Sequence, residues 1–238
     1  MPSTAESESR HTPAGFAPRG SQAERQALLT LLRLSPSLTR ILRYFVIRPT
    51  ARPRLRALQR DLRLGSASIQ RDLSRMTAAA VLYRFRDPAA RTIRFAVVPH
   101  PFWEVARALV AASHEPADLL REALRDVTGV EAAFLFGSGA AGTAQPDSDL
   151  DVLVVGDSVD ARTLYRNLFE AGRVLRRQVN TLRYTRATLA ERLAVGMEFP
   201  RNILEGPAHW LAGDPGVIAP IARAARVRFA ASGAGTGA

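Results

Sequence analysis

The stretch FLFGSGAAGTAQPDSDLDVLVVG, residues 134–156, decides how this chain is read. It holds the end of one apolar run, Ala132–Phe136, and the whole of another, Leu150–Val155, both of strand character. Between them, residues 137–148 form a loop of Gly, Ser and Asp. The loop opens on Gly137-Ser138, and ten residues later Asp149 and Asp151 stand at the head of the second strand. Alternate residues of a strand face the same side, so these two carboxylates converge while Leu150 and Val152 point into a core. Carboxylates held side by side repel. A Mg²⁺ or Mn²⁺ ion with oxygen ligands is the simplest compensation, and Asp149 and Asp151 are its candidate ligands. Gly137 lets backbone come close to a ligand, and the Ser138 amide and hydroxyl can donate to phosphate oxygens. A triphosphate chelated to the metal would sit between loop and strand. The plainer reading of Asp147, Asp149 and Asp151 is an acidic turn leading into a buried strand; the Gly-Ser pair at this distance argues against it.

Working outward, residues 101–112 and 116–127 read as helices, with Leu119, Leu120, Ala123, Leu124 and Val127 in phase. Residues 160–175 read as a helix, Gln178–Tyr184 as a third strand, and helices fill 186–212. Strands alternating with helices indicate an α/β or α+β unit. Toward the N-terminus the pattern changes. A short helix is expected over 22–33. Pro36 then opens an amphipathic helix in which Leu38, Ile41, Leu42, Phe45 and Val46 share one face, ending before Pro49. Residues 53–62 make a second helix, Leu64-Gly65 a turn, and Ser66 can cap a third, in which Ile69, Leu73 and Met76 align. Two strand-like runs follow, 82–86 and 92–98, joined by the turn residues DPAAR. Three helices followed by a basic two-stranded ribbon describe a winged helix-turn-helix.

The predicted fold class is therefore α+β. A winged helix-turn-helix over residues 21–99 precedes a small mixed-sheet domain over 100–228, between polar tails at 1–20 and 229–238 that are expected to be disordered.

Charge follows the same division. Residues 1–100 hold 18 Arg against 6 acidic residues, a net +12, while residues 101–238 hold 15 against 16, a net −1. The excess positive charge in the first half suits a polyanionic partner. All 33 basic residues are Arg, which reflects a GC-rich coding bias before it reflects design. On the third helix the face opposite Ile69 and Leu73 carries Arg71, Ser74 and Arg75, flanked by Ser68 and Gln70. It is small, polar and basic, suited to a major groove in which Arg forks to guanine and Gln to adenine. Arg84, Arg86, Arg91 and Arg94 on the ribbon, with Arg52, Arg54 and Arg56 before the second helix, can hold phosphates of double-stranded DNA. The alternative is a set of solvated faces on a protein-contact module.

Cysteine is absent, which excludes disulfides, thiolate metal sites and cysteine nucleophiles. No run approaches 18 apolar residues and the first twenty residues lack an apolar signal core, so no membrane partner is expected and a cytoplasmic location is the default. The four histidines have no metal-ligand spacing, and Phe134, Phe136, Trp103 and Trp210 read as core. Arg173, Arg176 and Arg177 follow a helix C-terminus, where cations suit the dipole.

Gly-Ser, ten residues, then Asp-x-Asp before an apolar strand resembles the motif of the polymerase-beta nucleotidyltransferase superfamily, in its minimal nucleotidyltransferase branch, over residues 103–215. The stretches QVNTLRYTRATLAERL (178–193) and ILEGPAHWLAGD (203–214) resemble the tail of members that carry an N-terminal winged helix. GSASIQRDLSRMTAAAVL (65–82) resembles the recognition-helix region of bacterial winged-helix regulators. The resemblance implies that Gly137 and Ser138 bind nucleotide phosphates and that Asp149 and Asp151 are catalytic and metal-binding. It implies transfer of a nucleoside monophosphate from Mg-NTP to an acceptor hydroxyl, with a partner protein, such as the toxin of a toxin–antitoxin pair, as one acceptor. Two positions depart from the family pattern. Ala141 stands where an Arg is common, and Asn180 stands where active members bring a third carboxylate; Asn180 and Asp147 are the further candidate ligands. These departures favour the alternative, a transcription regulator whose degenerate site senses nucleotide without turnover. Regulators of this shape often pair, so a homodimer reading two half-sites is a candidate state.

Overall fold

The computed structural model describes residues 34–141 and 148–227. The helix expected over 22–33, both tails and Asp147 lie outside the described residues. The chain runs α1 (Pro36–Ile47), α2 (Leu55–Leu62), α3 (Ser66–Ala78), β1 (Leu82–Arg86), β2 (Ile93–Val97), α4 (Phe102–Ser113) and α5 (Pro116–Leu124). It continues β3 (Ala132–Phe136), α6 (Ser138–Ala141), β4 (Leu150–Val155), α7 (Ala161–Leu175), β5 (Val179–Tyr184), α8 (Arg186–Ala194), α9 (Glu198–Glu205), β6 (His209–Gly213), a 3₁₀ turn at Pro215–Val217, and α10 (Ile218–Ala224). None of these helices is long and apolar enough to cross a membrane.

Local chemistry accounts for the helix starts. Ser35 caps α1, its side chain accepting from the Leu38 amide at 3.1 Å, with Pro36 in the first turn. Asp160 caps α7 in the same way through the Thr163 amide at 3.2 Å. At α3 the cap position is Gly65, not Ser66, and no side chain bonds to the first turn. The helix is anchored instead by buried Asp72, which accepts from the Ser35 and Ser37 hydroxyls of α1. β1 and β2 form an antiparallel ribbon. Arg54 bridges to Arg94 at its edge, and the Phe95 amide donates to the Pro53 carbonyl at 3.0 Å.

The main sheet has the order β5-β4-β3-β6, with β3 antiparallel to β4 and β6, and β4 parallel to β5. A parallel neighbour needs a crossover, and α7 provides it. The run LDVLVV is buried throughout except for its one aspartate, as expected of a strand covered on both faces. One face, with Ala133, Leu135, Leu150, Val152 and Val154, packs on Leu119, Leu120, Leu164 and Leu168 of α5 and α7. That cluster continues without a break into Ile41, Phe45, Leu58 and Leu73 of the N-terminal helices. The other face, with Ala132, Phe134, Leu153, Val155 and Tyr184, packs on Leu189, Leu193, Ile203, Leu204 and Ile218 of α8 to α10.

Residues 209–213 correct the expected helical filling of 186–212. Gly206 and Pro207 stop α9, and His209–Gly213 pairs with the free edge of β3, stacking Trp210 on Phe134 at 5.8 Å. The second helix begins at Leu55 rather than 53, and the expected loop from 137 begins with the short helix α6.

An ionic cluster centred on buried Arg48 and Glu122 ties the end of α1 to α5. Arg48 Nε donates to both Asp126 carboxylate oxygens at 2.8 and 2.9 Å, and Arg48 pairs with Glu122 at 2.8 Å. The Glu122 side chain is 1% exposed and also meets Arg43 at 3.4 Å and Arg125 at 2.9 Å.

Candidate nucleotide site

The sheet register builds the site. Phe136 of β3 lies opposite Asp151 of β4, and Asp151 lies beside Asn180 of β5. Asn180 Nδ2 donates to Asp151 Oδ1 at 3.0 Å and approaches Asp149 Oδ2 at 3.4 Å. Both carboxylates therefore converge on one point, as the i, i+2 spacing required. Asn180 is oriented from behind: its Oδ1 accepts from Gln178 Nε2 at 2.8 Å, which turns the NH₂ group toward the carboxylates. Arg177 fixes the approach of the chain to Asp149, donating to the Ser148 carbonyl and, at 3.3 Å, to the Asp149 carbonyl.

Gly137 bends the end of β3 with φ +70°, a left-handed conformation, and a Cβ there would lie 3.1 Å from Asp151 Oδ2. Glycine thus serves two needs, the turn and the clearance beside the carboxylate. Ser138 begins α6 next to this bend and is exposed. The structure thus brings Gly137, Ser138, Asp149, Asp151 and Asn180 to one end of the sheet.

The donor set is all oxygen, two carboxylates from adjacent odd positions, and suits a hard divalent cation that keeps waters and substrate phosphates as its other ligands. Among the described residues no group of three or more His, Asp or Glu is placed to hold a metal, so any cation here would rest on Asp149 and Asp151.

A cavity of about 290 Å³ opens beside the carboxylates, lined by Phe136, Asp151, Asn180, Thr181, Leu182 and Phe199. Sequence periodicity identified neither Phe199 nor the supporting pair Arg177 and Gln178. Arg177 was visible only as a cation after a helix end. Of the four aromatics read as core, Trp103 and Phe134 are buried, whereas Phe136 and Trp210 are half-buried.

Residues 117–197 match the model of the Nucleotidyltransferase domain family. The matched stretch, about a third of the chain, contains the Gly-Ser bend, both carboxylates and Asn180. The matched stretch includes β3, β4 and β5, and the arginine-rich N-terminal helices fall outside it. Two solved structures are similar over 46% of this chain and 83% of theirs, at a TM-score of 0.34: a toxin–antitoxin with AMP-PNP at 17% identity, and a mutant of the toxin–antitoxin MntA-HpeT at 16%. No curated protein matches the chain.

Ahead of the matched stretch, the positions expected to contact DNA divide into two groups. Gln70, Arg71, Ser74 and Arg75 are exposed on α3, and Arg84, Arg86 and Arg91 are exposed on the ribbon. Ser68 and Gln70 bond within their own helix start, to the Gly65 carbonyl and the Ser66 hydroxyl. Arg75 meets Asp72 at 3.5 Å. Arg94 is committed internally, paired with Asp87 at 2.6 Å and donating to the Arg52 carbonyl at 2.9 Å. Arg52, Arg54, Arg56, Arg60 and Arg94 share one groove with Tyr44 at its base.

Proposed function

We propose that this protein transfers a nucleoside monophosphate from a nucleoside triphosphate to an acceptor hydroxyl, and that its N-terminal winged helix-turn-helix brings the transferase to double-stranded DNA. The observation that carries the first part is the convergence of Asp149 and Asp151 beside the Gly137-Ser138 bend, within the stretch that matches the nucleotidyltransferase family model. Asp149 and Asp151 would hold a Mg²⁺ or Mn²⁺ ion, which when bound supplies charge neutralisation at the transferred phosphoryl group. Ser138 and the peptide groups around Gly137 donate to phosphate oxygens and orient the triphosphate. Arg177 and Gln178 keep the Asp149 backbone and the Asn180 amide in place. An amide at Asn180 cannot accept a proton from the attacking hydroxyl, so the chain supplies no third carboxylate among the described residues at that point. The acceptor implied by the minimal-branch resemblance is a hydroxyl of a partner protein.

DNA binding is supported by the exposed polar face of α3 and by the exposed arginines of the ribbon. A second reading, in which the site senses nucleotide without transfer, is favoured by one observation: the Asn180 amide donates to both carboxylates from the place where a third would act.

The deciding experiment incubates α-labelled NTP, Mg²⁺ and cell lysate with the protein and with an Asp149→Ala/Asp151→Ala variant. Label on a macromolecule that disappears with the variant supports transfer. Saturable Mg-NTP binding with no labelled product supports the sensor.

A further inference from the structure

Phe199 is 56% exposed although it stands at the start of α9, a helix whose Ile203 and Leu204 are buried against the sheet. An exposed aromatic ring is ordinary in isolation. This one lines the same cavity as Asp151 and Asn180. Phe136 and Leu182 supply further apolar surface, so the lining is largely apolar with a single carboxylate. Its volume of about 290 Å³ lies at the lower limit of ligand pockets, a space for one flat ring system rather than a whole nucleotide.

The β5 strand adds polar specificity. It is an edge strand, paired only with β4. The Gln178 and Tyr184 carbonyls accept from the Leu150 and Gly156 amides. In a parallel ladder, alternate residues direct both peptide groups to the same neighbour, so the even-numbered residues face β4 and Thr181 turns its N–H and C=O to the open edge. Thr181 lines the cavity. One donor and one acceptor on a single residue, beside an exposed ring, match the hydrogen-bonding edge and the face of a heterocyclic base. A partner's aliphatic side chain would use neither peptide group.

We propose that this cavity seats the base of the nucleoside triphosphate, with Phe199 as its stacking surface. The inference rests on the transferase reading, since it assumes that the phosphates lie toward Asp149 and Asp151. Stacking of a base on an aromatic ring is lost when the ring is removed, whereas phosphate binding does not involve it.

The test titrates MgATP and Mg-tripolyphosphate by calorimetry into the full chain, Phe199→Ala and Phe199→Trp. The expected result is about a 10-fold weaker Kd for MgATP with Phe199→Ala, an unchanged Kd for Mg-tripolyphosphate, and MgATP affinity at or above the original with Phe199→Trp. Equal MgATP affinity in Phe199→Ala and the original overturns the proposal. So does an equal loss for both ligands, which would mean that Phe199 only supports the fold of the site. If neither ligand binds the original protein in a Mg²⁺-dependent way, the transferase reading itself fails, and this inference with it.

Discussion

Replacing Asn180 by Asp would turn the donor at the centre of the site into a third negative charge. Nδ2 now lies 3.0 Å from Asp151 Oδ1 and 3.4 Å from Asp149 Oδ2. A carboxylate oxygen at those distances meets repulsions of about 1.4 and 1.2 kcal/mol at the dielectric of water. Together they come to about 2.6 kcal/mol, which exposed side chains can relieve in part by rotating apart. In a chain of this size each kcal/mol moves Tm by about 2–4 °C, so Asn180→Asp without metal should melt up to about 10 °C lower at pH 8. The repulsion also raises the pKa of at least one of the three carboxyls above its unfolded value. A raised carboxyl pKa means that the lost stability is present at low pH and disappears as pH rises through the folded-state pKa, so the deficit should shrink on acidification toward pH 4. Mg²⁺ should reverse the order, because three carboxylates bind a cation more tightly than two and binding to the folded state alone stabilises it. The assay is differential scanning fluorimetry at pH 8 and at acid pH, with and without 10-fold steps of Mg²⁺. A variant that melts with the original protein, and whose Tm responds to Mg²⁺ no more than the original does, would refute the geometry argued for this site.

Three further outcomes are expected. Seven exposed arginines without a carboxylate partner among the described residues, Arg52, Arg54, Arg56, Arg71, Arg84, Arg86 and Arg91, set a limiting slope of about −6 for log K against log salt if all meet phosphate, and Arg84→Ala/Arg86→Ala should reduce it to about −4.5 in gel-shift or anisotropy titrations; a slope near zero would remove DNA as the partner. Glu122→Ala should cost about 3–5 kcal/mol in urea unfolding because it removes the buried carboxylate shared by Arg43, Arg48 and Arg125, whereas Asp118→Ala, which breaks the exposed pair with Arg121 at 2.8 Å, should cost under about 1 kcal/mol. Burial, and secondarily the Arg43 guanidinium, hold the His114 imidazole below the ordinary histidine range, so the unfolded chain takes up this proton first: stability should fall as pH drops below about 6.5, level off below the folded-state pKa, and lose this dependence in His114→Gln.

The parts of the fold that short-range patterning can specify were legible. α1 carries a five-residue apolar stripe behind a Ser-Pro start, and β4 carries six residues whose alternation sends Asp151 to one face and Val152 to the other. The Asp149–Asp151–Gly137 constellation was legible for the same reason, since a strand period and one special backbone conformation fix its geometry. His209–Gly213 was not. Five residues with Trp and Leu fit either a helix or a strand, and what decides is the unpaired edge of β3, more than 70 residues earlier in the chain. The roles of Gln178 and Arg177 escaped notice because their partners, Asn180 Oδ1 and the Ser148 and Asp149 carbonyls, are defined only once β5 lies beside β4. The Arg48–Glu122 pair spans 74 positions. Nothing in either helix marks a buried charge except an acid and a base on otherwise apolar faces.

The same alternation that brings the carboxylates together also explains why a cavity opens at this end of the sheet. Asp151, Leu153 and Val155 share one face of β4, and α8 to α10 cover Leu153 and Val155. The apolar layer ends one strand step before Asp151, and the cavity walled by Phe199 occupies that step. Had the helical layer reached further, Asp151 would be buried beside Asp149 with only one amide to compensate both, an arrangement that desolvation makes untenable. The N-terminal helices join the core through the opposite face, with Leu135, Val152 and Val154. A polyanion on the α3 surface and a nucleotide at the carboxylates would therefore contact elements packed on different sides of one sheet and need not compete for the same residues. Any coupling between them has to pass through packed contacts. The buried Arg48–Glu122 pair, with Asp126 at its exposed edge, joins α1 to α5 and is the polar part of that connection.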